Sequence, residues 1–148
     1  MRAQRFVRRE DGVADDPQAM LQEAVKSKSD DEIMEFVKTM GGPEAVLTLT
    51  FEGMKSALNP DKAQDCVIGY ELTEGPNTHA YAVVIKDKQA SYEKRDPSDA
   101  RVTLGLSVPD YLRLISGELD GMQAFMQGKL KLKGDMMFAQ QVPQMFGL

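Results

Sequence analysis

The chain has 148 residues, of which 42% are hydrophobic and 28% are charged, a composition typical of one globular domain. Its 18 Lys and Arg residues against 23 Asp and Glu residues give a formal net charge of -5, which argues against nucleic acid as the main partner because phosphate binding requires a basic surface. No apolar run approaches the ~20 residues of a membrane-spanning helix, so stable membrane insertion is not expected.

The first 42 residues form two predicted segments. Residues 1–15 have few apolar side chains and change from basic to acidic, which predicts a flexible arm or, alternatively, a partner-binding tail. Because no apolar core follows the arginines, this arm differs from a secretory leader, and a cytoplasmic location is expected. Residues 16–42 are predicted to form a helical extension, since Asp16-Pro17 is a helix start and Ser29 with Glu32 forms a capping box.

Residues 43–148 are predicted to form the main domain, which begins with a helix and continues with strands. Pro43 opens a helix in which Leu47, Phe51, Met54 and Leu58 recur at helical spacing, although the sequence VLTLTF within it alternates like a strand. Apolar patterns between turn signals predict strands over residues 66–73, 79–86, 89–93 and 101–107, of which 79–86 is apolar on both faces and is therefore expected to be central. The short turns between these strands indicate an antiparallel meander.

The last 40 residues combine short helices with one strand. A helix begins beside Ser107 and ends at Gly117, and the apolar spacing over residues 119–127 predicts another. The alternating sequence KLKLK predicts a strand over residues 129–133. Asp135 is predicted to cap a last helix, which Pro143 could kink or end. Helices at both ends of a run of strands predict an α+β fold.

Few residues are candidates for catalysis or metal binding. His79 is the only histidine and Cys66 the only cysteine, which is too few for a closed structural zinc site or an internal disulfide. The chain has no nucleophile elbow, phosphate loop or dinucleotide glycine fingerprint. We therefore expect no enzyme activity, no metal and no cofactor, with Cys66 a small buried hydrophobe and His79 structural. A small lipid-modifying enzyme would require His79 or a carboxylate to face an apolar tunnel.

Methionine is abundant near the end of the chain. Half of the ten methionines lie beyond residue 120, and the chain has no tryptophan. Flexible thioether side chains fill irregular space and can adapt to varied apolar ligands. The same residues at helical spacing are also typical of an ordinary core, so the methionines alone leave both interpretations open.

The segment from Ala124 to Met136 reads AFMQGKLKLKGDM and contains the pattern Ala-Phe-x-x-Gly-Lys-Leu-Lys-x-x-Gly-x-Met. It is preceded by ARVTL at 100–104 and by DYL at 110–112, which leads to SGEL at 116–119, and it is followed by Ala139. With these elements, residues 100–141 resemble the sterol carrier protein type 2 domain. The strands over 66–93 fit that family less specifically, and residues 1–29 lie outside the resemblance.

The resemblance implies a five-stranded, mostly antiparallel sheet covered by helices, with an apolar tunnel between them. It implies non-catalytic binding and transfer of an apolar small molecule, such as a fatty acid, an acyl-CoA or a sterol-like lipid. By matching position, the tunnel is expected to be lined by Phe125, Met126, Gln127, Leu130, Leu132, Met136, Ala139 and Gln140. Amphipathic position adds Leu112, Ile115, Phe138, Val142, Met145 and Phe146.

A second hypothesis is a module that carries no lipid. In that case the groove would be filled by the chain's own C-terminus, with Phe146 and Leu148 as the plug, or it would bind a partner chain, including a second copy in a homodimer. Such a module could also present apolar substrates to an enzyme. Gln140 would need a hydrogen-bond partner if it were buried in the tunnel, and a ligand headgroup could provide one.

Overall fold

The computed structural model describes residues 17–146, with side chains from Leu21 onward. The arm predicted for residues 1–15 and the residue Leu148 therefore lie outside the described part. Twelve elements follow one another along the described chain: α1 (Pro17–Val25), α2 (Asp30–Thr39), α3 (Pro43–Ala57), β1 (Cys66–Glu74), β2 (Asn77–Lys86), β3 (Gln89–Glu93), β4 (Val102–Ser107), α4 (Val108–Ser116), α5 (Gly121–Met126), β5 (Lys131–Gly134), α6 (Met136–Ala139) and α7 (Val142–Met145).

The predicted helix starts at Ser29 and Ser107 are confirmed by their capping hydrogen bonds. The amide of Glu32 donates to Ser29 Oγ over 3.2 Å, and the amide of Ser29 donates to Glu32 Oε1 over 2.9 Å, so α2 begins with a capping box. The amide of Asp110 donates to Ser107 Oγ at the start of α4, and Gly117 ends that helix with a φ of 90°. The segment VLTLTF lies inside α3, as the longer apolar spacing predicts.

The five strands form one sheet in the order β3-β2-β1-β4-β5. The β1–β2, β2–β3 and β4–β5 pairs are antiparallel, which confirms the mostly antiparallel α+β fold. The predicted meander is wrong at β4, which pairs with β1 in parallel, with Ile68 opposite Val102. The residues between β3 and β4 return the chain to the free side of β1, since β1 and β3 already occupy both sides of β2. The alternation of apolar residues specifies a strand but not its neighbour.

Helices cover one face of this sheet. The alternating residues Ile68, Tyr70 and Leu72 of β1 are buried on that face, and the register places Leu104 of β4 beside Tyr70 and Leu132 of β5 beside Leu104. Helix α3 packs near β3, α4 lies against β1 and β4, and α6 lies against β4 and β5. Apolar side chains from both layers form a single hydrophobic core.

The helices α1 and α2 are attached to α4 by polar contacts. The Arg113 guanidinium lies 2.6 Å from Asp30 Oδ1 and 2.8 Å from Asp110 Oδ1, and it donates to the carbonyl of Lys28 over 3.1 Å. The Gln22 side chain donates to the carbonyl of Ser116 over 3.0 Å. Because buried Val25, Ile33 and Val37 also belong to the common core, α1 and α2 contribute to the same packed unit as the sheet.

The single last helix predicted after Asp135 is wrong, because the chain forms two short helices, α6 and α7. The amides of Gln140 and Gln141 donate to the carbonyls three residues earlier, those of Met137 and Phe138, so the α-helical pattern tightens and ends there. Pro143 lies in the first turn of α7, where a missing amide donor is tolerated. Proline thus begins a new helix and does not kink a continuous one.

Candidate functional site

The candidate site is the apolar layer between the covered face of the sheet and helices α4, α6 and α7. Three buried side chains of α6 and α7, those of Phe138, Val142 and Met145, join buried Leu112 of α4 in the common core. The amide of Asn59 donates to the carbonyl of Met145 over 2.7 Å, and the side chains of Gln64 and Gln141 are 2.8 Å apart. These two bonds hold α7 against the segment that follows α3.

Helix α6 is positioned by one arginine and one aspartate. Asp135 Oδ1 accepts from the amide of Phe138 over 2.9 Å and so caps the helix, while Asp135 Oδ2 lies 3.1 Å from Nε of Arg101. The Arg101 guanidinium carbon stands 4.0 Å from the centroid of the Phe138 ring, a cation–π contact. Phe138 is therefore held under the guanidinium with its ring in the core.

Asp135 should make stability depend on pH. The backbone amide of Phe138, and after it the side chain of Arg101, lower the pKa of this carboxyl below its ordinary value. The charged form therefore favours the fold, and its contribution is present above the unfolded-state pKa and lost as pH falls through the lower folded-state pKa. Asp135→Asn keeps an oxygen that can cap α6 but cannot titrate.

We expect the melting temperature of the wild-type protein to fall more between about pH 7 and about pH 3 than that of Asp135→Asn. Thermal unfolding followed by circular dichroism measures both slopes. Parallel slopes for the two proteins would show that the charge of Asp135 contributes nothing to the fold.

An aromatic cluster lies beside the apolar layer. The Phe51 ring of α3 has its centroid 4.7 Å from that of Tyr81 and 5.4–5.9 Å from those of Tyr70, Tyr92 and Tyr111. The hydroxyl of Tyr111 is 2.8 Å from Thr50 Oγ1, whereas the hydroxyl of Tyr70 donates to the sulfur of Met54, at 3.7 Å. Burial raises the pKa of both phenols above the ordinary value.

The structure places the predicted tunnel residues in three environments. Half of the fourteen are buried in the core: Leu112, Ile115, Leu130, Phe138, Val142, Met145 and Phe146. Leu132 and Ala139 are half-buried against that core, and the other five, Phe125, Met126, Gln127, Met136 and Gln140, are exposed. The backbone amide of Gln140 donates to the carbonyl of Met137 in α6. Its side chain is exposed to water, so it needs no hydrogen-bond partner inside the protein.

The opposite face of the sheet carries a groove of about 390 Å³. Gly105 lies on its floor, and Lys133 crosses it to an ion pair with Glu71 at 3.0 Å. The groove is otherwise lined by Thr73, Thr78, Thr103, Leu106, Ser107, Lys129 and Lys131. No predicted tunnel residue lines this groove.

The candidates for chemistry lie near the starts of two strands, His79 in β2 and Cys66 in β1, and Cys66 packs against the core. His79 is half-buried at the β1–β2 end of the sheet, with Nε2 3.3 Å from Glu74 Oε1. Cys66 is half-buried, less than expected, and burial raises the pKa of its thiol. Within residues 17–146, no three His, Cys, Asp or Glu side chains are grouped so that they could hold a metal ion. No helix in this described range has the length and hydropathy to cross a bilayer.

Residue patterns alone pointed to neither the aromatic cluster nor the contact of Arg101 with Phe138. The alternation of β1 is the signal that could have identified Tyr70, because it places this residue on the same face as Ile68 and Leu72. No local pattern joins Arg101 to Phe138, which are distant in sequence and meet only because β4 pairs with β5.

Comparison with known proteins gives a consistent result. The model of the SCP-2 sterol transfer family matches residues 57–147. Hydroxysteroid dehydrogenase-like protein 2 of Bos taurus is 35% identical over 108 residues, which are 69% of this chain and 26% of that protein. The chain therefore spans about a quarter of this relative.

Two solved structures share the fold. Sterol carrier protein 2 from Yarrowia lipolytica in its apo form has a TM-score of 0.53 at 21% identity, and the match covers 68% of this chain and 91% of that chain. Palmitated SCP2L2 from Aedes aegypti has a TM-score of 0.55 at 17% identity, covering 69% and 92%.

Proposed function

The chain belongs to the SCP-2 sterol transfer family, and from this membership we propose that it binds an apolar lipid non-covalently and transfers it without catalysing a reaction. The proposed ligands are fatty acids, acyl-CoAs or sterol-like molecules. The proposed binding site lies between the covered face of the sheet and helices α4, α6 and α7, with the exposed predicted residues at its entrance.

The observation that carries this proposal is the buried apolar layer at the C-terminal end of the chain. Its members come from α4, α6 and α7, all of which lie within the family match. A lipid chain that enters this layer would be removed from water at about 0.8 kcal/mol per CH₂ group. Met145 supports an adaptable site, since an unbranched thioether can move aside at low cost.

Few polar groups are available to orient a ligand there. Among the residues that the structure describes, the buried hydroxyl of Tyr70 has only a thioether acceptor, while the hydroxyl of Tyr111 already has an oxygen partner in Thr50. A sulfur atom is a weak acceptor, so the Tyr70 hydroxyl would gain from a ligand oxygen. With so few polar contacts, broad ligand choice is expected. The palmitate named with the Aedes aegypti relative makes a fatty acid the first class to test.

Lipid that co-purifies with the protein tests this proposal. The protein is purified without detergent, its bound lipids are extracted, and they are quantified by mass spectrometry against an unrelated protein purified in the same way. We expect one or a few lipid classes to be enriched in near-stoichiometric amount. An extract that matches the control protein in every lipid class would count against the proposal.

A non-carrier module is a second candidate, and one observation favours it. Phe146 is only 3% exposed, so the end of the described chain packs into the core where a ligand is proposed to bind. In that case the side chains of α7 would themselves replace the lipid. The surface of the module would then bind a partner chain or present a substrate, and lipid would show no saturable binding to the interior.

A further inference from the structure

Helix α5 turns its large apolar side chains towards solvent. Met122, Phe125 and Met126 are at helical spacing and therefore share one face, yet Met122 is 56% exposed and Met126 78% exposed. We call these three side chains the α5 face. The buried side chain of the helix is that of Ala124. A globular helix normally buries its large apolar residues, so the α5 face is suited to being covered by another segment.

Helix α1 runs antiparallel to α4 and begins beyond the end of α4. The Gln22 side chain donates to the carbonyl of Ser116 over 3.0 Å, whereas the carbonyl of Lys28, just after α1, accepts from Arg113 over 3.1 Å. Moving back along α1 therefore means moving forward along α4. Pro17 precedes Gln22 by five residues, or about 7.5 Å of helix, so the chain enters α1 past the last turn of α4.

Helix α5 begins at the same end of α4. Four residues join the two helices, and a Cβ built on Gly121, the first residue of α5, would stand 3.7 Å from the side chain of Leu114. The amide of Glu118 donates to the carbonyl of Arg113 over 2.9 Å, so the connection turns back over the last turn of α4. The arm thus joins the described chain at the end of α4 where α5 starts, and its fifteen residues can span up to about 50 Å.

The first nine residues of the arm are basic and carry its large apolar side chains. They contain four arginines and no acid, and Phe6 and Val7 lie among these arginines. The three acids of the arm lie within residues 10–15, between the basic stretch and α1. The basic stretch is therefore the part of the arm that suits an apolar face beside acidic side chains.

Acidic side chains stand at the start of α5. Glu118 and Asp120 are exposed, and neither carboxylate pairs with a cation of residues 21–146. The order of residues also matches, since Arg8 and Arg9 precede Val7 and Phe6 on the way outward from α1, as the two acids precede the α5 face. These acids and the net charge of -5 disfavour an anionic bilayer as the occupant.

We propose that the arm docks on α5 of its own chain, with Phe6 and Val7 against the α5 face and the arginines beside Glu118 and Asp120. Flexible thioether side chains adapt to an aromatic ring, and the contact removes apolar surface from water. A segment of the same chain is favoured over a separate molecule, because a short link gives an effective concentration on the order of millimolar. The docking needs no lipid and goes beyond the proposed function.

Trypsin digestion of the full chain tests the docking, because trypsin cleaves after arginine. The initial rate of cleavage after Arg8 is followed by mass spectrometry, with the free peptide 1–15 as the unprotected reference. A docked arm is cleaved only when it leaves α5, so the rate measures the undocked fraction. We expect the full chain to be cleaved about tenfold more slowly than the peptide, and Met122→Ser/Met126→Ser to lose most of this protection.

Variants of the arm and of the nearby acid test the two parts of the contact. Phe6→Ser should be cleaved nearly as fast as a peptide 1–15 with the same change. Adding Met122→Ser/Met126→Ser to it should give no further increase, because both changes remove one interaction. Glu118→Gln should raise the rate by about two- to fivefold, as the loss of an exposed ion pair predicts.

Matched controls lie on α3 and α2. Leu49 has the same 56% exposure as Met122, and Glu35 is exposed like Glu118, so Leu49→Ser and Glu35→Gln should leave the protection unchanged. The inference fails if the wild-type chain is cleaved as fast as the peptide. It also fails if the two controls raise the rate as much as the α5 and acid variants do.

Two other occupants would give different results. Protection that disappears on dilution would place the arm on a second copy, and the proposal of docking within one chain would be wrong. An unprotected arm, together with sedimentation on phosphatidylglycerol vesicles that Met122→Ser/Met126→Ser weakens, would assign the α5 face to a bilayer and also overturn it. Because the digestion contains no lipid, a failure of fatty-acid binding would count against the proposed function alone.

Discussion

Gly134→Ala should destabilise the protein by about 3 kcal/mol or more. Gly134 has a φ of 98°, and a Cβ there would stand 2.5 Å from the carbonyl oxygen of Arg101 and 3.3 Å from Cα of Val102. Both neighbours are backbone atoms, one just before paired β4 and one at its first residue, so they cannot turn away as a side chain would. The amide of Asp135 donates to the same Arg101 carbonyl over 2.9 Å, so the substitution would also disturb the start of α6.

Gly128→Ala is the matched control for this substitution. Gly128 has a φ of 79° but no heavy atom within 4 Å of its Cβ position, so alanine there should cost only the backbone strain of about 1–2 kcal/mol. Urea unfolding of the two variants and the wild type measures both free energies. Equal losses at the two positions would show that the close approach of Gly134 to β4 does not limit stability.

Phe146→Ala should remove about 3–5 kcal/mol of stability from the ligand-free protein, because a buried ring is replaced by a methyl group. If Phe146 borders the proposed lipid site, the vacated space can accept part of an acyl chain. Palmitate at about 100 times its Kd stabilises a protein by about 2.7 kcal/mol. We expect the increase in melting temperature with palmitate to be larger in Phe146→Ala than in the wild type.

Ile33→Ala is the control for ligand rescue. Ile33 is as deeply buried, but it lies in α2 and not in the elements that frame the proposed lipid site. We expect this variant to lose about as much stability as Phe146→Ala. Palmitate should raise its melting temperature no more than it raises that of the wild type. If palmitate raises the melting temperature of Phe146→Ala but not that of the wild type, the result would favour the non-carrier module, in which Phe146 fills the groove. If palmitate raises the melting temperature of neither Phe146→Ala nor the wild type, the result would contradict a lipid site at α7.

The sequence predicts most elements because their signals are local. Ser29 and Glu32 bond each other within one turn, and Gly117 takes the left-handed conformation that ends α4. The parallel pairing of β1 with β4 could not be predicted in this way, because it depends on the route of residues 94–101 across the sheet. Apolar patterns and turn signals predicted the five strands, whereas their union in one sheet covered by helices came from the family resemblance.

The candidate site was only partly predictable, for a related reason. Helical spacing shows that Met122, Phe125 and Met126 share a face, but not whether that face meets the core or solvent. In α5 the short residue Ala124 packs inward and the larger apolar residues remain outside. The division of the last segment into α6 and α7 likewise follows from backbone hydrogen bonds at Gln140 and Gln141. A glutamine at these positions gives no sequence signal that the helix ends there.

The most direct test of the central claim is a titration of the delipidated full chain with a fluorescent fatty acid, followed by displacement with unlabelled palmitate. If lipid binds in an internal apolar site, the fluorescence should saturate near one fatty acid per chain, and palmitate should displace the fluorescent fatty acid completely. An internal site also predicts that Met122→Ser/Met137→Ser, which alters the outer surface, leaves the titration unchanged. A signal that rises without saturation, or that palmitate does not displace, would contradict the proposal that this protein binds lipid.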